Sequence, residues 1–132
     1  MNHINIKNRI RRNMLDKLAG KYYKNESSDI ILHLNSKEKK GIVGIQREDG
    51  IYTIIGTEKI YYLTTSGIEG EISIDNFLTI LKETAMKYGK KAQYEFIKIN
   101  ETNSIWVMNI QTMNALWNTM LYINNAVKPN KN

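Results

Sequence analysis

Apolar residues recur every three to four positions at both ends of the chain and every second position between them. Over residues 5–19, Ile10, Met14 and Leu18 repeat at a spacing of four, and Leu15 and Tyr22 widen the stripe, which predicts a helix. Arg9, Arg12, Asn13 and Asp16 fall on its opposite face, while Lys7 and Arg11 interrupt the apolar side. Gly20 is placed to end this helix. Residues 23–28 read as a polar connector.

Alternation then takes over. Ile30, Leu32 and Leu34 predict a strand over 29–35, with His33 on its other face. Further strands are expected at 42–47, 51–55, 59–65 and 71–74. The turns between them are the charged run 36–41, the hairpin signal Asp49-Gly50, and segments holding Gly56, Gly67 and Gly70. The helical period returns with Phe77, Leu78, Leu81, Ala85 and Tyr88, with Asp75 as the expected N-cap and Gly89 as the stop. Strands are expected at 92–99 and 105–110. Thr112 can cap a last helix carrying Met113, Leu116, Trp117, Met120, Leu121 and Ile123.

The predicted class is α+β: an N-terminal basic helix, an antiparallel β-meander, then α-ββ-α, with helices packed on one face of the sheet. The expected organisation is a basic helical segment at 1–24, a single α+β domain at 25–128 and a short tail at 129–132. At 132 residues the chain is long enough to bury one core. The absence of cysteine excludes disulfides and thiolate chemistry and fits a reducing, cytoplasmic setting. No apolar run approaches the length of a membrane span.

Charge changes the picture most. Residues 1–24 hold Lys7, Arg9, Arg11, Arg12, Lys17, Lys21 and Lys24 against Asp16 alone, which accounts for the whole net charge of +6. The other 108 residues are neutral, with the remaining 12 of 19 cations set against 12 of 13 acids. Such segregation implies a surface that attracts anions on one end only. Lys7, Arg9, Arg11, Arg12, Lys17 and Lys21 are therefore the candidate binding residues.

Motif chemistry is sparse. His3 and His33 are the only histidines, and no metal-ligand spacing or phosphate loop exists, so no metal, cofactor or catalytic residue is assigned. Tyr61, Tyr62, Tyr94 and Phe96 with Lys59 and Lys98 loosely resemble a single-strand nucleic-acid platform, but core packing explains aromatic strand residues better. The expectation is a small non-enzymatic protein that binds an anionic macromolecule. An acidic protein is favoured as partner, in an inhibitor, immunity-type or assembly-subunit role, and homodimerisation through a strand edge is open. The competing expectation is a nucleic-acid binder, or a small nuclease centred on His33, with Glu48, Glu71 or Glu95 as acid and Arg47 or Lys98 for the phosphate.

Overall fold

The computed structural model describes residues 14–89 and 94–127, with side chains described as far as Asn125. Most of the helix predicted over 5–19, and with it Lys7, Arg9, Arg11 and Arg12, lies outside these residues, as does the tail. The described end of that segment is α1 (Leu15–Ala19), continued by a 3-10 turn over Gly20–Tyr22. Gly20 ends α1 as expected: its φ is +57°, and its N–H donates to the Asp16 carbonyl.

Next come β1 (Tyr23–Lys24), α2 (Asp29–Ser36), β2 (Gly41–Gln46), β3 (Tyr52–Gly56), β4 (Lys59–Leu63) and β5 (Glu69–Ser73). The chain then forms α3 (Ile74–Tyr88), β6 (Phe96–Lys98), β7 (Ser104–Trp106) and α4 (Ile110–Val127). Strands β1 to β5 form one antiparallel sheet in sequence order, and β6 and β7 form a separate two-stranded ribbon. The α+β class with an antiparallel meander is therefore what the chain adopts.

One predicted strand is a helix. A strand over 29–35 would leave Ile31 on the polar side with Asp29 and His33. As a helix, α2 buries Ile31 (0% exposed) and Leu34 (2%) together and leaves Leu32 54% exposed instead. The fifth strand of the sheet comes from the expected connector, where Tyr23 pairs with Ile45 and Lys24 with Gly44.

The caps also differ from expectation. Ser73, not Asp75, caps α3, its Oγ accepting from the Asn76 N–H at 3.1 Å. Asn109 caps α4, its Oδ1 accepting from the Thr112 N–H at 2.8 Å. The strand expected at 105–110 ends at Trp106, because Met108 takes a positive φ of 72° that extended backbone does not adopt. In α3 the predicted stripe holds for Phe77 and Leu81, but Ala85 and Tyr88 of the last turns are exposed.

The helices cover both faces of the sheet rather than one. Val43, Ile45, Ile55, Ile60 and Tyr62 point into the main cluster, with Leu15 and Ala19 of α1, Phe77 and Leu81 of α3, and Leu116, Met120 and Ile123 of α4. The ribbon joins this cluster through Ile97, Ile105 and Trp106, and Thr53 Oγ donates to the Trp106 carbonyl at 2.6 Å. The other face carries Tyr52, Ile54 and Tyr61, which form a second, smaller cluster with Ile31 and Leu34 of α2. Strands β2 and β3 approach closely because β2 offers glycine there. A Cβ on Gly44 would stand 2.8 Å from the Ile54 Cα and meet the Thr53 carbonyl.

Candidate functional site

The basic segment meets the body of the protein at α1. Leu15 (0% exposed) and Ala19 (1%) anchor one side of α1 in the main cluster, so Lys17, two residues from each, turns to solvent. Tyr22 extends the anchor by packing edge-on against Trp106, with ring centroids 5.5 Å apart. Lys21 is exposed too, but its ammonium is not free. It donates to Glu48 Oε1 at 2.5 Å, and this contact holds the Glu48 carboxyl below its ordinary pKa and the Lys21 ammonium above its own. Both groups are open to water, so the pair is heavily screened. Of the two described binding candidates, Lys17 thus presents an uncompensated charge among the described residues and Lys21 a compensated one.

The residues assigned to an acid–base cluster scatter. Arg47 lies over the rings of Phe96 and Trp106, 5.9 and 5.8 Å from their centroids, and bonds Asp49. Glu48 serves Lys21. Lys98 borders a shallow hollow beside α3, together with Thr84, Lys87 and Tyr88. Tyr61 and Tyr62 point to opposite faces, and Tyr94 is buried with its hydroxyl donating to the Gly89 carbonyl, so no aromatic platform forms.

His33 and Glu71, however, come together. Both line a concavity of about 370 Å³ between α2 and the outer strand β5. His33 is exposed on α2, and among the described residues nothing hydrogen-bonds its imidazole. Lys37 and Lys39, just beyond the end of α2, continue that wall. Glu69 and Glu71 stand opposite, on the same face of β5, and Tyr52 and Tyr61 lie between the walls.

Internal contacts hold this groove in shape. The Tyr52 hydroxyl donates to Glu69 Oε2 at 2.9 Å. Burial first, then this hydrogen bond and the Glu69 charge, push the Tyr52 phenol far above its ordinary pKa, so it stays a donor. Lys39 Nζ lies 5.1 Å from the Tyr61 ring centroid, and the Lys40 N–H reaches the Tyr61 hydroxyl at 3.4 Å. Glu71 meets Lys59 at 3.5 Å.

Lys37, Lys39, Tyr52 and Glu69 were not among the residues expected from sequence. The run 36–41 reads only as a charged turn until 29–36 is taken as a helix, which sets that run beside β5. Among the described residues, no group of three His, Asp or Glu side chains converges as metal ligands do, and no helix is long and apolar enough to cross a membrane. No protein-family model, curated protein or solved structure matches the chain.

Proposed function

We propose that this is a small non-enzymatic binding protein whose basic N-terminal segment docks on an acidic protein surface. The observation that carries the reading is charge segregation: residues 1–24 hold the entire net charge of +6, and the remainder is neutral. The anchoring of α1 by Leu15 and Ala19 supports it, because a fixed element costs less ordering entropy on binding than a loose arm. An inhibitor, an immunity-type protein or a subunit of a larger assembly would each use such a surface, in the cytoplasm, where a cysteine-free chain is at no disadvantage.

Nucleic acid is the other anion this charge could meet. A protein neutralising several phosphates loses affinity steeply with salt, with a log–log slope of about −0.9 per phosphate on duplex DNA. Retention of the full chain on immobilised RNA and duplex DNA, from low to moderate salt, separates the two partners. Weak retention at every salt concentration is the expected result. Tight, steeply salt-dependent retention, abolished by Arg11→Glu with Arg12→Glu, would replace the acidic protein with nucleic acid.

A nuclease centred on His33 has one observation in its favour, the meeting of His33 and Glu71 in one groove. The carboxylates of Glu69 and Glu71 on the facing wall oppose it, because they repel a phosphodiester chain.

A further inference from the structure

The groove between α2 and β5 has walls of opposite sign that do not touch. Lys37 and Lys39 stand on one side and Glu69 and Glu71 on the other, yet no ion pair joins the walls among the described residues. Tyr52 and Tyr61, 4% and 7% exposed, line the groove between them. Unlike charges left facing each other across open space are complementary to a molecule that carries both.

We propose that this groove binds a small zwitterion of dipeptide size, its carboxylate held by Lys37 and Lys39 and its ammonium by Glu69 and Glu71. A volume of about 370 Å³ falls within the range of small-molecule sites. The Tyr52 hydroxyl engages one oxygen of Glu69, which orients the carboxylate before a ligand arrives. Tyr61 does the same for the other wall by holding Lys39 over its ring. Among the described residues, the one ion pair at the acidic wall is Glu71 with Lys59, a long and half-exposed contact that an incoming ammonium can replace. His33, exposed and without a hydrogen-bond partner among the described residues, is placed on the cationic wall to bond the carboxylate end. A polyanion would satisfy one wall and be repelled by the other, whereas a zwitterion satisfies both. The residues of this site are not those of the basic segment, and the proposal stands whether or not that segment binds an acidic protein.

The test is an amide chemical-shift titration of the full chain with alanyl-alanine. Saturable shifts confined to the end of α2, the 36–41 turn and β5 are expected, with a Kd on the order of 1 mM. N-acetyl-alanyl-alanine, which lacks the ammonium, and alanyl-alanine amide, which lacks the carboxylate, should each bind about tenfold more weakly. Glu69→Gln keeps an acceptor for Tyr52 and should weaken the dipeptide without moving distant amides. The proposal is overturned if no saturable shifts occur at the groove, if either blocked dipeptide binds as well as the free one, or if the protein cleaves RNA and His33→Ala abolishes that cleavage.

Discussion

The two faces of the five-stranded sheet are built to different ends. One is dry: Val43, Ile45, Ile55 and Ile60 are at most 1% exposed and are covered by three helices and the ribbon. Among the described residues, the other is covered by the eight residues of α2 alone, and beyond α2 it opens into a groove of charges and tyrosine hydroxyls. The basic segment is anchored on the dry side, through Leu15 and Ala19. The face that spends its surface on packing therefore carries the fold and the basic element, while the half-covered face is free to hold polar chemistry. A sheet covered equally on both sides would have no such division.

The strongest way to break this contrast is to hollow out the dry face. Phe77→Ala should cost about 3–5 kcal/mol in urea denaturation, because a fully buried ring is lost and the cavity can refill only in part. A loss below that of the next variant would mean the main cluster is not where stability resides. Ile31→Ala, under α2, should cost about 2 kcal/mol, at the low end for such truncations, because its cluster is small. The native fluorescence of Trp106 and Trp117, which pack in the main cluster, should stay unchanged in this variant.

A smaller effect is expected at the groove. Tyr52→Phe removes the hydrogen bond to Glu69 and should cost about 1 kcal/mol at neutral pH. The raised phenol pKa gives a signed pH dependence. Its stabilising contribution is fully present below the ordinary tyrosine pKa and is lost as pH rises toward the higher folded-state value. The wild type should therefore lose stability on the alkaline limb more steeply than Tyr52→Phe, as followed by melting temperature against pH.

The smallest effect belongs to Lys21 and Glu48. The lowered Glu48 pKa means that any contribution is present at neutral pH and fades as pH falls through that lowered value. Both side chains are open to water, so Lys21→Ala should leave the melting temperature unchanged within error, at low or high salt.

Much of the dry face was legible in the sequence, and little of the groove was. The hairpin turn at Asp49-Gly50, the alternation of β2 to β4 and the stripe of α3 through Leu81 follow local rules that the tertiary structure does not overrule. Segment 29–36 fits either period, because Ile30, Ile31, Leu32 and Leu34 supply apolar positions for a strand and for a helix. Burial of Ile31 against Ile54 decides between them, and that contact is non-local. Once α2 is a helix, His33, Lys37 and Lys39 face β5, a juxtaposition no spacing in the chain encodes. The basic segment was legible as charge, but the pairing of Lys21 with Glu48, 27 residues away, was not.

The claim that partner contact belongs to the basic segment and not to the groove is tested most directly by co-purification from nuclease-treated cells of the native source. Wild type, Arg11→Glu with Arg12→Glu, and Glu69→Gln would be compared side by side. The prediction is one acidic protein partner, retained by wild type and by Glu69→Gln and lost on charge reversal. Retention of that partner by the charge-reversed protein, or its loss from Glu69→Gln alone, would contradict the account.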